Sequence, residues 1–348
     1  MLRTRNIGLW LGALVFEAAG LCQTYAPIIV VPNSPGNPAH QTFPYSINNN
    51  GVIAGYYTFG SGLTSHGFVR AADGTITTFD PPGLPLGGAT FALSINAAGA
   101  IVGYYLGGKF PFTNHGFVRD PQGNFTFFDP PGSTSTIADS INIGGAIAGY
   151  YSDASNVKHG FLRSDNGTLV SFDPPGSIAT TVLVINANGS IAGDYQLADM
   201  SVHGFVRQPD GTIETFDPPG STGTTVTGIS AGGVITGSYT SGGRTFGFVR
   251  DIAKAVVTFT AGFSTFPTGI NVDGAITGSF STDTGSGHNF VRLPSGSIFP
   301  FDPPSPPPNG FFCSGSGFRT SINDNGLITG WCFTGAPDPS ILTFVRYP

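Results

Sequence analysis

The tripeptide Phe-Val-Arg, once written Phe-Leu-Arg, recurs seven times in 348 residues, starting at Phe68, Phe117, Phe161, Phe205, Phe248, Phe290 and Phe344. The first and last copies lie 276 residues apart over six intervals, a mean period of 46. A second marker, Ile-Asn or Ile-Ser, begins at Ile47, Ile95, Ile141, Ile185, Ile229, Ile270 and Ile322 and keeps nearly the same period. A chain so self-similar has to fold as copies of one supersecondary unit, because each copy buries its apolar face against the next.

The third unit shows the content of a copy. Ser140-Ile-Asn leads through Gly144-Gly145 to Ala146-Ile-Ala-Gly-Tyr-Tyr151; after a connection come His159-Gly-Phe-Leu-Arg163, Asp165-Asn-Gly167 and Thr168-Leu-Val-Ser-Phe-Asp-Pro-Pro-Gly176. Four short strands A to D fit this text, with glycine-bearing hairpin turns between A and B and between C and D. Four strands every 40 to 50 residues, seven times over, predict an all-β, seven-bladed β-propeller of four-stranded blades. A parallel β-helix is the competing architecture, but its coils are usually shorter.

The ends bear on closure. The last unit stops at Tyr347-Pro348 after its C strand, while Tyr25-Ala-Pro-Ile-Ile-Val-Val-Pro32 precedes the first A strand. This segment is expected to supply the missing D strand, so that the N-terminus completes blade seven.

The pattern Ile-Asn-x-x-Gly-x-Ile-x-Gly-x-Tyr followed by His-Gly-Phe-Val-Arg resembles the bacterial extracellular HAF-type repeat family, with His-Gly-Phe in place of its His-Ala-Phe. The resemblance runs from about residue 45 to the end. It implies secretion and a propeller-like array, and it brings no established catalytic residues.

Only 10% of residues are charged, against about a quarter in average globular chains, whereas 52 glycines and 28 prolines favour turns over long helices. Residues 1–22 read as a signal peptide: a basic start at Arg3 and Arg5, the apolar run Ile7 to Phe16, then small residues. Cys22 would be the site of a lipoprotein anchor, although Leu21 stands where a small residue is expected. Residues 23–348 are then one propeller domain, secreted, periplasmic or on the cell surface, and a monomer. Its net charge near −7, after Arg3, Arg5 and Glu17 are removed, excludes nucleic acid and anionic membrane as natural partners. No second hydrophobic stretch is long enough to span a bilayer. Cys313 and Cys332, an even pair in an oxidising compartment, are expected to form a disulfide; two free thiols are the alternative.

Histidine and aspartate recur as a pair 14 residues apart: His66 and Asp80, His115 and Asp129, His159 and Asp173, His203 and Asp217, His288 and Asp302. Blade five has Phe246 and Thr260 instead, so the two residues are kept or lost together. That co-occurrence predicts contact across the C–D hairpin, given one bulge residue in its turn, and a structural clip rather than five copies of a catalytic dyad. The strand-A Asn (Asn48, Asn96, Asn142, Asn186, Asn271, Asn323; Ser230 in blade five) is expected to satisfy backbone groups of the A–B turn, or to ring the channel. The seven Arg of Phe-Val-Arg are expected on blade edges, paired with turn carbonyls or carboxylates.

One strand-B position breaks the symmetry: Tyr56, Tyr104, Tyr150, Asp194, Ser238, Ser279, Trp331. Trp331, Tyr56, Tyr104 and Tyr150 belong to consecutive blades and form an aromatic arc, either as bulkier packing or as a stacking surface. The B–C and D–A connections are expected to be the longer, variable ones and to carry the site, with Lys109, Phe110 and Phe112 among the exposed groups. No metal-spaced histidines, nucleophile elbow or phosphate loop is present, and no cofactor or metal is expected. The reading is a non-catalytic module for an extracellular glycan or protein. The alternative is a polysaccharide-active hydrolase or lyase using aspartates such as Asp139, Asp153, Asp199 or Asp283.

Overall fold

The computed structural model describes residues 24–27, 41–59, 64–108, 112–303, 319–333 and 341–348. The leader segment with Cys22, Phe110, Cys313 and therefore the expected disulfide lie outside the described residues. The described chain forms seven antiparallel four-stranded sheets and no helix. Blade three is representative, with strands Ser135–Ile141, Ile147–Ser152, Lys158–Arg163 and Leu169–Phe172 in that spatial order. The A strands of successive blades touch one another all round the ring, so A is innermost and D outermost.

Blade seven is completed as expected. Tyr25–Pro27 pairs with Ile341–Arg346, Tyr25 opposite Arg346 and Pro27 opposite Phe344, and the Tyr347 N–H donates to the Thr24 carbonyl at 3.0 Å. Closing the ring with the chain's own N-terminus hides an edge that would otherwise invite pairing with another chain.

The repeated residues explain the blades. All seven Phe of Phe-Val-Arg are fully buried, together with the strand-B Ile53, Ile101, Ile147 and Ile191. Each core cluster joins two blades, as where Ala192 of blade four packs with Val226 and Ile235 of blade five. Burying one such Phe contributes about 2–3 kcal/mol. Strand A carries a bulge in six blades, in blade three between Ala138 and Ser140, but Arg319–Ile322 of blade seven pairs in straight register. The bulge presses strand A onto strand B, where a Cβ on Gly149 would stand 2.1 Å from the Ile137 carbonyl oxygen. Strand C needs glycine for another reason, since a Cβ on Gly160 would lie 2.8 Å from the Phe172 ring.

Turn chemistry sets the registers. In the C–D turn Ser164 N–H donates to Thr168 O and Gly167 N–H to Ser164 O; Gly167 has φ +91°. This is a three-residue loop with its bulge glycine in the left-handed region. The odd loop length carries the Gly160–Phe172 pairing one residue further, setting His159 opposite Asp173. The D–A exit Pro174-Pro175-Gly176-Ser177 closes with Ser177 N–H on Pro174 O and Gly176 at φ +79°, a turn that wants Pro second and Gly third.

One expectation is narrowed. The B–C connections of blades three, four and six are tight three-residue turns like the others, closed for example by Asp153 N–H to Val157 O, and in blade five Ser241 pairs with Arg244 across Gly242-Gly243. The longer connections are residues 80–88 into blade two, 302–318 into blade seven and 334–340 within blade seven.

Candidate functional site

The His–Asp pairs meet in all five blades. His Nδ1 lies 2.6 Å from Asp Oδ2 in His66–Asp80 and His203–Asp217, and 2.7 Å in His115–Asp129, His159–Asp173 and His288–Asp302. The other carboxylate oxygen reaches the next blade: Thr90 donates to Asp80 Oδ1 at 2.6 Å, and Thr180 and Thr224 donate to Asp173 and Asp217. Each imidazole also packs on the strand-B aromatic of its blade, as Tyr57 on His66 with centroids 5.3 Å apart and Phe280 on His288. In blade five Tyr239 packs on Phe246, while Thr260 donates to the Gly262 carbonyl. This is one connector repeated, ring to imidazole to carboxylate to neighbouring blade.

Asparagine and arginine add two further belts. Asn142 Oδ1 accepts from Ala146 N–H within its own A–B turn, while its Nδ2 donates to the Asn186 carbonyl of the next blade. The same inter-blade donation runs from Asn48, Asn96, Asn186, Asn271 and Asn323. Five Arg donate Nη1 to the carbonyl of the following residue. Six guanidinium groups also lie over a Phe ring of the preceding blade, Arg119 over Phe79 at 4.7 Å being one. That stacking was not expected from the sequence, because the Arg and its Phe belong to different repeats.

What remains after these connectors is not symmetric, and it gathers at the axis. Trp331, Phe43, Tyr56, Phe91 and Tyr104 form one continuous pile with successive centroids 5.2, 4.7, 4.9 and 4.7 Å apart. All five are half-buried, so the arc is packing and surface at once. Tyr45 packs on Tyr56 at 5.5 Å, and the Arg319 guanidinium lies 4.2 Å over the Tyr45 ring. Phe112 is half-buried beside Gly87.

Asp139 and Asp194 complete the cluster on the far side of Tyr104. Asp139 is no loop residue: it is the bulge residue of its strand A, and its Oδ2 is inaccessible, with no hydrogen-bond partner among the described residues. Burial pushes its carboxyl up to about 7 against the pull of Arg319 from blade seven and of Lys158. Asp194 is likewise raised by burial to about 7, with Lys158 opposing. Lys158 Nζ stands 5.1 Å above the Tyr150 ring. Burial, Asp139 and Asp194 push the Tyr150 phenol up to about 12. Burial foremost, then the neighbouring phenol of Tyr45, also raises Tyr56 and Tyr104. Groups from blades one, two, three, four and seven thus feel one another across the axis.

Two of the other aspartates named from the sequence, Asp153 and Asp199, order their own turns. Asp153 Oδ1 accepts the Ser155 and Val157 N–H groups, and Asp199 that of Ser201; backbone donation by Val157 holds Asp153 below the usual carboxylate range. Phe43, Phe91, Tyr45 and Arg319 were missed in the sequence. The signal for the first three is the extra strand-A residue of blades one and two, which breaks the two-residue alternation by which core and non-core positions are told apart; Arg319 sits on an A strand without a bulge and has no such signal. Among the described residues no group of His, Cys, Asp and Glu could hold a metal ion, and no helix is long and apolar enough to cross a membrane.

No protein-family model matches the chain, and no curated protein matches it in sequence. Solved structures do match in fold. Virginiamycin B lyase from Staphylococcus aureus is similar with a TM-score of 0.56 at 12% identity, over 94% of this chain and 99% of that one. The β-propeller domain of the trilobed protease from Pyrococcus furiosus gives 0.58 at 9% identity, over 86% and 97%. A polysaccharide lyase gives 0.50 at 10% identity, over 95% and 93%. Identities this low speak for the propeller fold alone.

Proposed function

We propose that this is a secreted, non-catalytic binding module of the HAF-type repeat kind, and that it takes an extracellular glycan at the axial cluster. The observation that carries the reading is the asymmetric aromatic pile Trp331–Phe43–Tyr56–Phe91–Tyr104, half-buried and continued by Tyr150, Asp139 and Asp194. Flat rings offer the C–H faces of a sugar a stacking partner, while phenols and carboxyls beside them exchange hydrogen bonds with hydroxyls. Blade five carries Thr225 and Ser238 at the equivalent positions, so a blade forms without aromatic residues there.

A thermal-shift and reducing-end screen against a panel of polysaccharides tests this. The expected result is a stabilising glycan that releases no new ends, and an affinity that falls about tenfold in Tyr150→Ala, about 1.4 kcal/mol. A panel without any shift removes the glycan reading. The second reading, a hydrolase or lyase, draws on two carboxyls that titrate near neutral pH on either side of Tyr150, the range suited to proton transfer. New ends that vanish in Asp139→Asn or Asp194→Asn would establish it instead. Secretion is tested separately by locating the chain in cell fractions.

A further inference from the structure

The repeats depart from their own pattern at one junction in three places. The second residue of strand D is Thr77, Thr126, Val170, Val257 or Phe299 elsewhere but Glu214 in blade four. The left-handed position of the C–D turn is Gly74, Gly123, Gly167, Gly211 or Gly296 elsewhere but Lys254 in blade five, which keeps φ +70°. The strand-A Asn becomes Ser230 in blade five, just before the flexible text Ala231-Gly232-Gly233. Glu214, Lys254, Gly232 and Gly233 line one cavity of about 370 Å³ between blades four and five. It opens among the A–B and C–D turns, the face opposite the variable connections.

The charges inside it are unbalanced. Arg250 leaves the habit of the other arginines and donates Nη2 to Glu214, and Lys254 Nζ lies 3.0 Å from the same oxygen, with its side chain 63% exposed. Two cations share one carboxylate. Gln208, also in the lining, accepts from Ser190 Oγ through Oε1 at 3.2 Å, which leaves its Nε2 protons as donors. Ile252, 75% exposed, supplies apolar rim. A side chain at φ +70° is strained where glycine is not, so keeping Lys254 there points to what its ammonium reaches.

We propose that this cavity binds a small carboxylate-bearing sugar, one hexuronate unit in size. The excess positive charge and the Gln208 donor suit a carboxylate, the mixed polar and apolar wall suits a pyranose ring, and the volume lies at the small end of ligand sites. This site is separate from the axial cluster and stands whether or not that cluster binds glycan.

The test is calorimetric titration of the full chain with D-glucuronate, with D-glucose and acetate as the neutral and ringless controls. Glucuronate is expected to bind saturably and at least tenfold tighter than either control. Lys254→Gly restores the residue of the other turns; it is expected to keep or raise Tm while glucuronate affinity falls at least tenfold. Glucuronate binding no tighter than glucose overturns the proposal. So does a Lys254→Gly variant that binds glucuronate as the parent does, whatever its Tm.

Discussion

At the scale of single residues, most of the side chains that look chemically active hold blades together. His159 bonds Asp173, and that bond, with Asp153 adding to it against the cost of burial, raises its pKa above the ordinary value. The protonated imidazole is thus the stabilising form. Its contribution is complete below the unfolded pKa of about 6.5 and is lost as pH rises through the folded value. His159→Ala is expected to cost about 1 kcal/mol at acid pH, the pair being partly exposed, and the gap in Tm between parent and variant should narrow towards alkaline pH. Asn289 is the converse case. It stands where blades one to five have glycine, fully buried, with neither amide atom hydrogen-bonded to a described residue. Asn289→Gly is expected to stabilise by about 1–2 kcal/mol, measured by denaturant unfolding; a loss would show that the Asn has found a partner. The His–Asp contact was legible in the sequence because both residues vanish together at Phe246 and Thr260. The Thr that holds the second carboxylate oxygen was not, since it recurs at Thr90, Thr136, Thr180, Thr224 and Thr265 even where Thr260 replaces the Asp, so no joint loss ties the two residues together.

At the scale of elements, the bulge of strand A decides more than its one residue suggests. It brings the Ile137 carbonyl against Gly149, so Gly149→Ala is expected to cost about 3 kcal/mol or more, seen as a large fall in Tm. It also turns Tyr45 and Asp139 to positions that strict alternation would not give them. The asparagine belt works between elements in the same way. Asn186 reaches the Ser230 carbonyl, but serine is too short to hand the chain of bonds on to blade six, where Asn271 stands. Ser230→Asn is expected to close the belt and add about 1 kcal/mol, read from the denaturation midpoint.

At the scale of the molecule, closure and the axis are what the seven copies make only together. Deleting the chain through Pro27 should free the outer edge of Phe344–Arg346, uncover Phe344, and lower stability by about 3 kcal/mol, with a broadened melt as the check on cooperativity. The axial carboxyls give a pH test with the sign opposite to that of an ordinary surface aspartate. Burial raises Asp139 to about 7, so its protonated form is the favoured one in the fold; that stability is whole below the ordinary pKa of about 3.9 and is lost as pH rises through about 7. Asp139→Asn is accordingly expected to raise Tm at alkaline pH and to change it little near pH 4.

The sequence by itself determined the blade count, the four strands, the glycine-bearing A–B and C–D turns and the His–Asp register. Each of these rests on a local pattern that recurs, the strands in seven units and the His–Asp pair in five, and is governed by backbone sterics and hydrogen-bond geometry within one unit. Only the tertiary structure decided that strand A is innermost, that Arg119 covers a Phe of another blade, and that Tyr45, Asp139, Lys158 and Arg319 share one site. Those contacts join residues from different repeats across a closed ring, and no periodicity along the chain encodes which residues face one another over the axis.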